Sequence, residues 1–151
     1  MNYFIVSAFG KDEPGIVSHL TGIITSKGGN IMESQMQKLG TDFTTMILIS
    51  VSKNCADSLN KALNEIPELQ ISINSTSPFK LDSKIPQCKI FLSGADNEGL
   101  VHKVAESLAE KKINIEEIKT ETENAPVSGT VLFSMSARVS HPHLDINRLK
   151  N

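Results

Sequence analysis

The hydrophobic positions of this chain switch period at regular intervals. Tyr3-Phe4-Ile5-Val6-Ser7-Ala8-Phe9 is a compact β-favouring run closed by Gly10, which predicts a strand. From there the period lengthens. Ile16, Val17, Leu20, Ile23 and Ile24 follow the three-and-four spacing of an amphipathic helix. Pro14 is expected in the first turn of that helix, where its missing N–H costs nothing. Gly28-Gly29 predicts the stop. Loose alternation over 31–39, a Gly40-Thr41-Asp42 turn and β-formers over 43–51 predict a hairpin. Ala56, Leu59, Ala62, Leu63 and Ile66 mark a second helix, broken by Pro67, and Leu69, Ile71 and Ile73 alternate as a closing strand. Strand, helix, strand, strand, helix, strand is the split βαβ order of a ferredoxin-like α+β sandwich.

The same plan then restarts. Gly10-Lys11-Asp12-Glu13-Pro14-Gly15-Ile16-Val17 recurs as Gly94-Ala95-Asp96-Asn97-Glu98-Gly99-Leu100-Val101, 84 residues later. Gly29-Asn30-Ile31 recurs as Ile113-Asn114-Ile115 at the same offset. Register held without a gap over such a stretch points to a duplicated domain. The first copy is read as residues 1–77, a linker with two prolines and several charges as 78–87, and the second copy as 88–151. In the second copy, 89–93 reads as a strand, Leu100, Val101, Val104, Leu108 and Ala109 line a helix, and 113–122 with 127–139 form a hairpin. Pro142 opens a last helix with Leu144, Ile146 and Leu149 as its apolar positions. Against the first copy, the rest of that helix and the closing strand are missing, so the chain reads as truncated, with an unpaired strand edge.

Composition narrows the partners. Residues 1–79 carry 5 Lys against 7 acidic side chains, and residues 80–151 carry 10 basic against 10 acidic. Neither half has the Lys/Arg surplus that phosphate binding requires, which argues against direct nucleic-acid contact. Cys55 and Cys88 read as reduced thiols. The N-terminus has no basic region followed by a long apolar run, and no segment has the length and apolarity of a membrane helix. The cytoplasm is the expected compartment, with no membrane association.

The two strand-to-helix turns are the candidate sites. A helix start leaves N–H groups unsatisfied and carries partial positive charge, which suits an amino acid's carboxylate. Asp12, just ahead of that start, is placed to hold the ligand's ammonium; the bland alternative is that it only caps the helix. Gly10-Lys11-Asp12-Glu13-Pro14-Gly15-Ile16-Val17 with Gly29-Asn30-Ile31 resembles the ACT domain family of small amino-acid-binding regulatory modules. The match runs on through Ser34-Gln35-Met36-Gln37-Lys38-Leu39-Gly40, Phe43 and Met46. In its tandem arrangement the chain is similar to the glycine cleavage system transcriptional repressor group. The resemblance implies ligand contacts at Gly10, Lys11, Asp12, Glu13, Pro14, Gly15, Ile16, Asn30 and Ile31. In the second copy it implies them at Asp96, Asn97, Glu98, Gly99, Leu100 and Asn114. It also implies that Asn30 reaches a ligand across a subunit or repeat interface; the alternative is that Asn30 fills a turn. The second copy departs from the pattern, with Glu98 in place of Pro14 and Lys112-Ile113 in place of Gly28-Gly29.

Other constellations are plainer. His141 and His143 flank Pro142 without the three or four ligands zinc needs, so they read as a surface loop. No Ser/His/Asp or Cys/His arrangement is recognisable, and no Gly-Lys-Ser/Thr follows the glycines around Gly10. Met32, Met36 and Met46 read as core or interface filling, and Glu106, Glu110, Lys111 and Lys112 as a solvated helix face. The expectation is a non-enzymatic regulator without cofactor or metal. It would sense a small amino acid, glycine or serine, and form a homo-oligomer; the resemblance implies that it represses glycine-cleavage genes through a transcriptional activator protein. The alternative is an assembly or allosteric module for a metabolic enzyme, without a ligand of its own.

Overall fold

The computed structural model describes residues 1–77, 85–95 and 98–149. The chain divides into two compact units, Met1–Lys80 and Leu81–Asn151. In the first, the elements run β1 (Asn2–Lys11), α1 (Ile16–Ser26), β2 (Gly29–Leu39), β3 (Asp42–Val51), α2 (Lys53–Asn64) and β4 (Leu69–Ser75). They form the ferredoxin-like order expected. The sheet is antiparallel throughout, in the order β2-β3-β1-β4.

Pleating sends alternate residues to one face. On β1 these are Phe4, Val6 and Ala8, and on β3 Phe43, Ile47 and Ile49; all are buried under the helices. Leu20 and Ile24 of α1 and Ala56, Leu59 and Leu63 of α2 close the core from above. Thr45 is the polar residue inside this layer, and its hydroxyl donates to the Gln35 carbonyl at 2.9 Å. Met32 is the unpaired residue of a β-bulge, because Ile31 pairs Ile49 and Glu33 pairs Leu48.

Helix α1 begins at Ile16, where the apolar spacing starts, and leaves out Pro14, which the sequence places in its first turn. Gly15 sits at φ 90°, ψ −7°, a left-handed conformation that no helix can pass through, and the Ile16 N–H instead closes a turn onto the Glu13 carbonyl at 3.2 Å. Pro14 therefore belongs to the turn before the helix.

The second unit contains β5 (Gln87–Gly94), α3 (Leu100–Glu110), β6 (Asn114–Asn124), β7 (Val131–Ser140) and α4 (Ile146–Leu149). Its sheet has the order β5-β7-β6, with the same bulge, here at Glu116. Of the expected linker, 78–84 lie outside the described residues, and Gln87 already opens β5. The last strand of the hairpin starts at Val131, not Val127. Val127 is wholly exposed, in a turn closed by the Ala125 N–H on the Thr130 carbonyl and the Gly129 N–H on the Ala125 carbonyl. Pro142 does not open a helix either. The Asp145 carboxylate accepts the Asn147 N–H at 3.0 Å, so the chain turns helical only at Ile146.

Candidate functional site

In the first unit the strand-to-helix turn borders a cavity of about 180 Å³ lined by Glu13, Pro14, Gly15, Ile16, His19 and Glu68. A side chain at Gly15 would meet nothing within 4 Å, so the turn faces solvent, and it is the left-handed backbone that calls for glycine here. The helix start carries no side-chain cap, which leaves first-turn N–H groups on offer to a carboxylate. Glu13 and Glu68 are both among the lining residues and bring negative charge to the cavity, which suits an ammonium. The space is below the usual range of drug-sized pockets and fits a compact molecule.

Glu68 is the residue the sequence reading missed. It lies far along the chain and arrives because Leu69 pairs with Gly10 across β1 and β4. That pairing also explains Gly10. A Cβ there would stand 2.4 Å from the Glu68 carbonyl oxygen, so Gly10 admits the β4 backbone and leaves no vacant room for a ligand.

The other predicted contacts separate into two groups. Asp12 does not cap the helix: its carboxylate meets the Lys38 ammonium at 3.2 Å and its N–H donates to the Thr41 carbonyl at 3.1 Å. Lys11 pairs with Asp42 at 3.0 Å and donates to the Thr41 hydroxyl at 3.3 Å. Both side chains thus engage the β2–β3 hairpin. Ile31 packs against the core. Asn30 is exposed on β2 opposite Ser50, in a strand and not in a turn. Ser50 also pairs with Tyr3, near the opposite end of β1 from Lys11. At 3.3 Å per residue that puts Asn30 about 25 Å along the sheet from the Gly15 turn. One module does not bring Asn30 to the cavity.

In the second unit Gly99 repeats the left-handed helix start, at φ 71°, ψ 2° and again without a side-chain cap, ahead of Leu100. Glu98 precedes it in the turn; Asp96 and Asn97 lie outside the described residues. A roomier cavity of about 370 Å³ lies elsewhere, between Lys111, Ile113, His141, His143, Leu144, Asp145 and Leu149. The two histidine rings stand 6.2 Å apart, and the His143 N–H donates to His141 Nδ1. Among the described residues, no group of three or more His, Cys, Asp or Glu could hold a metal ion. No described helix is long and apolar enough to cross a membrane.

Asn114 differs from Asn30. Its amide donates to Glu116 Oε1 at 2.7 Å, and the Ser140 hydroxyl donates to the same oxygen. The Ser140 and Asn114 donors hold the Glu116 carboxyl below its ordinary pKa against a small opposing effect of burial, with Arg138 assisting.

The ACT domain family model matches residues 2–76, the whole of the first unit's sheet and helices. The chain belongs to the ACT domain family. Over 62 residues it is 37% identical to the glycine cleavage system transcriptional repressor of Escherichia coli, a match covering 41% of this chain. The chain spans 33% of the length of that relative. A UPF0237 protein of Methanococcus maripaludis is 30% identical over 77 residues, 49% of this ACT chain and 86% of the other protein. Among solved structures, an unknown protein from Galdieria sulphuraria is 33% identical, with a TM-score of 0.74 over 93% of this chain and 82% of that one. A second, provisionally designated a glycine cleavage system transcriptional repressor, shares the fold with a TM-score of 0.71 at 22% identity, over 99% of this chain and 86% of that one. Both ACT-type modules of this chain are therefore found together in other proteins.

Proposed function

We propose that this chain is a non-enzymatic regulatory protein of the cytoplasm, with modules at 1–77 and 88–151, that senses a small amino acid. The observation that carries the reading is the Gly15 turn, where an uncapped helix start and two acidic residues, Glu13 and Glu68, border one compact cavity. The acidic residues take the ligand's ammonium, and its carboxylate is shared between the first-turn N–H groups of one copy and the Asn30–Ser50 pair of another. Glycine or serine fits the space best. Asn30 completes the site from a second copy of the chain, as the family resemblance implies, which makes the functional form a homo-oligomer. The similarity to the Escherichia coli repressor suggests the output: repression of glycine-cleavage genes through a transcriptional activator protein. The balanced charge of the chain supports a protein partner over DNA.

One observation favours the second reading, an assembly module for a metabolic enzyme without its own ligand. Asp12 is already neutralised by Lys38, so it is not waiting for an ammonium. Thermal unfolding across a panel of amino acids separates the two, because a ligand that binds only the folded state raises stability as RT ln(1 + [L]/Kd). Glycine or serine should raise the melting temperature selectively, and the double change Glu13→Gln, Glu68→Gln should remove the shift. Asp12→Ala should cost less than about 1 kcal/mol of stability, the range of an exposed ion pair. No selective shift with any amino acid would reject ligand sensing and leave the assembly reading.

A further inference from the structure

The two modules carry the same pair of polar side chains at the same place. Asn30 stands opposite Ser50 across β2 and β3, and Asn114 stands opposite Ser140 across β6 and β7. Each pair is followed by a bulge, and the bulge residue is where the modules part. In the second it is Glu116, whose Oε1 accepts from both Asn114 Nδ2 and Ser140 Oγ. In the first it is Met32, 50% exposed, whose thioether cannot replace a carboxylate. Among the described residues the side chains of Asn30 and Ser50 then have no hydrogen-bonding partner.

Two neutral donors converging on one ionised oxygen make a charge-assisted site, stronger than ordinary hydrogen bonds. The second module shows what such a pair holds, a carboxylate. We propose that Glu116 is an internal occupant of the Asn114–Ser140 pair, and that in the first module Asn30 and Ser50 hold the carboxylate of a bound amino acid instead. A carboxylate two residues along the strand from Asn114 is present at an effective concentration that a free amino acid at millimolar level does not match. The second module is thereby closed to ligand while the first stays open. The first-module half of this inference rests on the amino-acid reading above; the second-module half concerns Glu116 alone.

Exchanging the bulge residues tests it. Isothermal titration calorimetry with glycine and with serine is run on the full chain and on Glu116→Met and Met32→Glu, with circular dichroism confirming that each folds. Glu116→Met should bind one more equivalent of amino acid per chain than the unmodified protein, and Glu116→Ala should do the same if methionine disturbs the bulge. Met32→Glu should bind one fewer. Unchanged stoichiometry in both Glu116 variants overturns the internal occupant, and unchanged binding in Met32→Glu overturns the assignment of Asn30 and Ser50. If the unmodified chain binds neither amino acid, ligand sensing by the first module fails, yet a gained equivalent in Glu116→Met still establishes Glu116 as the block.

Discussion

The first module buries β1 and the second only half-buries its counterpart β5, although both strands alternate in the same register. Phe4, Val6 and Ala8 are buried, whereas Cys88, Ile90 and Leu92, the equivalent positions, remain partly accessible. The neighbours account for the difference. β1 has β3 on one side and β4 on the other, and two helices lie over it. β5 is paired on one side, with β7, and among the described residues its other edge carries no strand. Phe91 on that strand is 73% exposed. Burial is thus a property of what surrounds a residue, and an identical pattern yields a full core or a thin one according to its partners. The second core is small, with Leu108, Ala137 and Val139 at its centre and Val104, Ile113 and Ile115 around them.

The largest contrast should come from matched positions on α1 and α3. Leu20 is fully buried, whereas Val104 is only partly so. Leu20→Ala should destabilise the first module by about 2–5 kcal/mol, the range for a buried leucine that leaves a cavity. Val104→Ala should cost about 1 kcal/mol or less in the second, since the methyl groups lost are only partly withdrawn from water. Urea unfolding of each variant reads both, and equal losses would break the contrast in packing.

Much of this was legible from the chain. Ile16, Leu20 and Ile24 share one helix face by spacing alone, and the two Gly15-type turns announce themselves as a repeat. What escaped depends on contacts remote in sequence. Glu68 reaches the candidate cavity only because β4 pairs beside β1, and Gly10 reads as a ligand contact until the Glu68 carbonyl is seen against it. Asp12 looks poised for an ammonium until Lys38 comes back along β2 to meet it. Val127 and Pro142 were misplaced for a different reason. Their local turns are set by individual hydrogen bonds, backbone to backbone around Val127 and backbone N–H to side chain around Pro142, which apolar spacing does not encode.

A smaller effect separates the modules by pH. The Glu116 carboxyl titrates below its ordinary value because Ser140 and Asn114 donate to its ionised form. Its contribution to stability is therefore present above the ordinary carboxylate range and is lost as pH falls through the lowered folded-state value. Glu116→Gln should be less stable than the unmodified chain near neutrality, and the gap should close on acidification. Met32 gives the first module no such group. Parallel melting curves for the two proteins at every pH would show that Glu116 holds nothing of consequence.

The central claim is that one module senses a small amino acid and the other does not. Titration of glycine and of serine into the full chain, followed residue by residue through backbone and side-chain amide resonances, addresses it directly. Saturable shifts at Gly15, Ile16 and the Asn30 side chain, with Gly99 and the Asn114 side chain unmoved, are the predicted result. Equal shifts in both modules, or none at Gly15 and Asn30 with either amino acid, would contradict it.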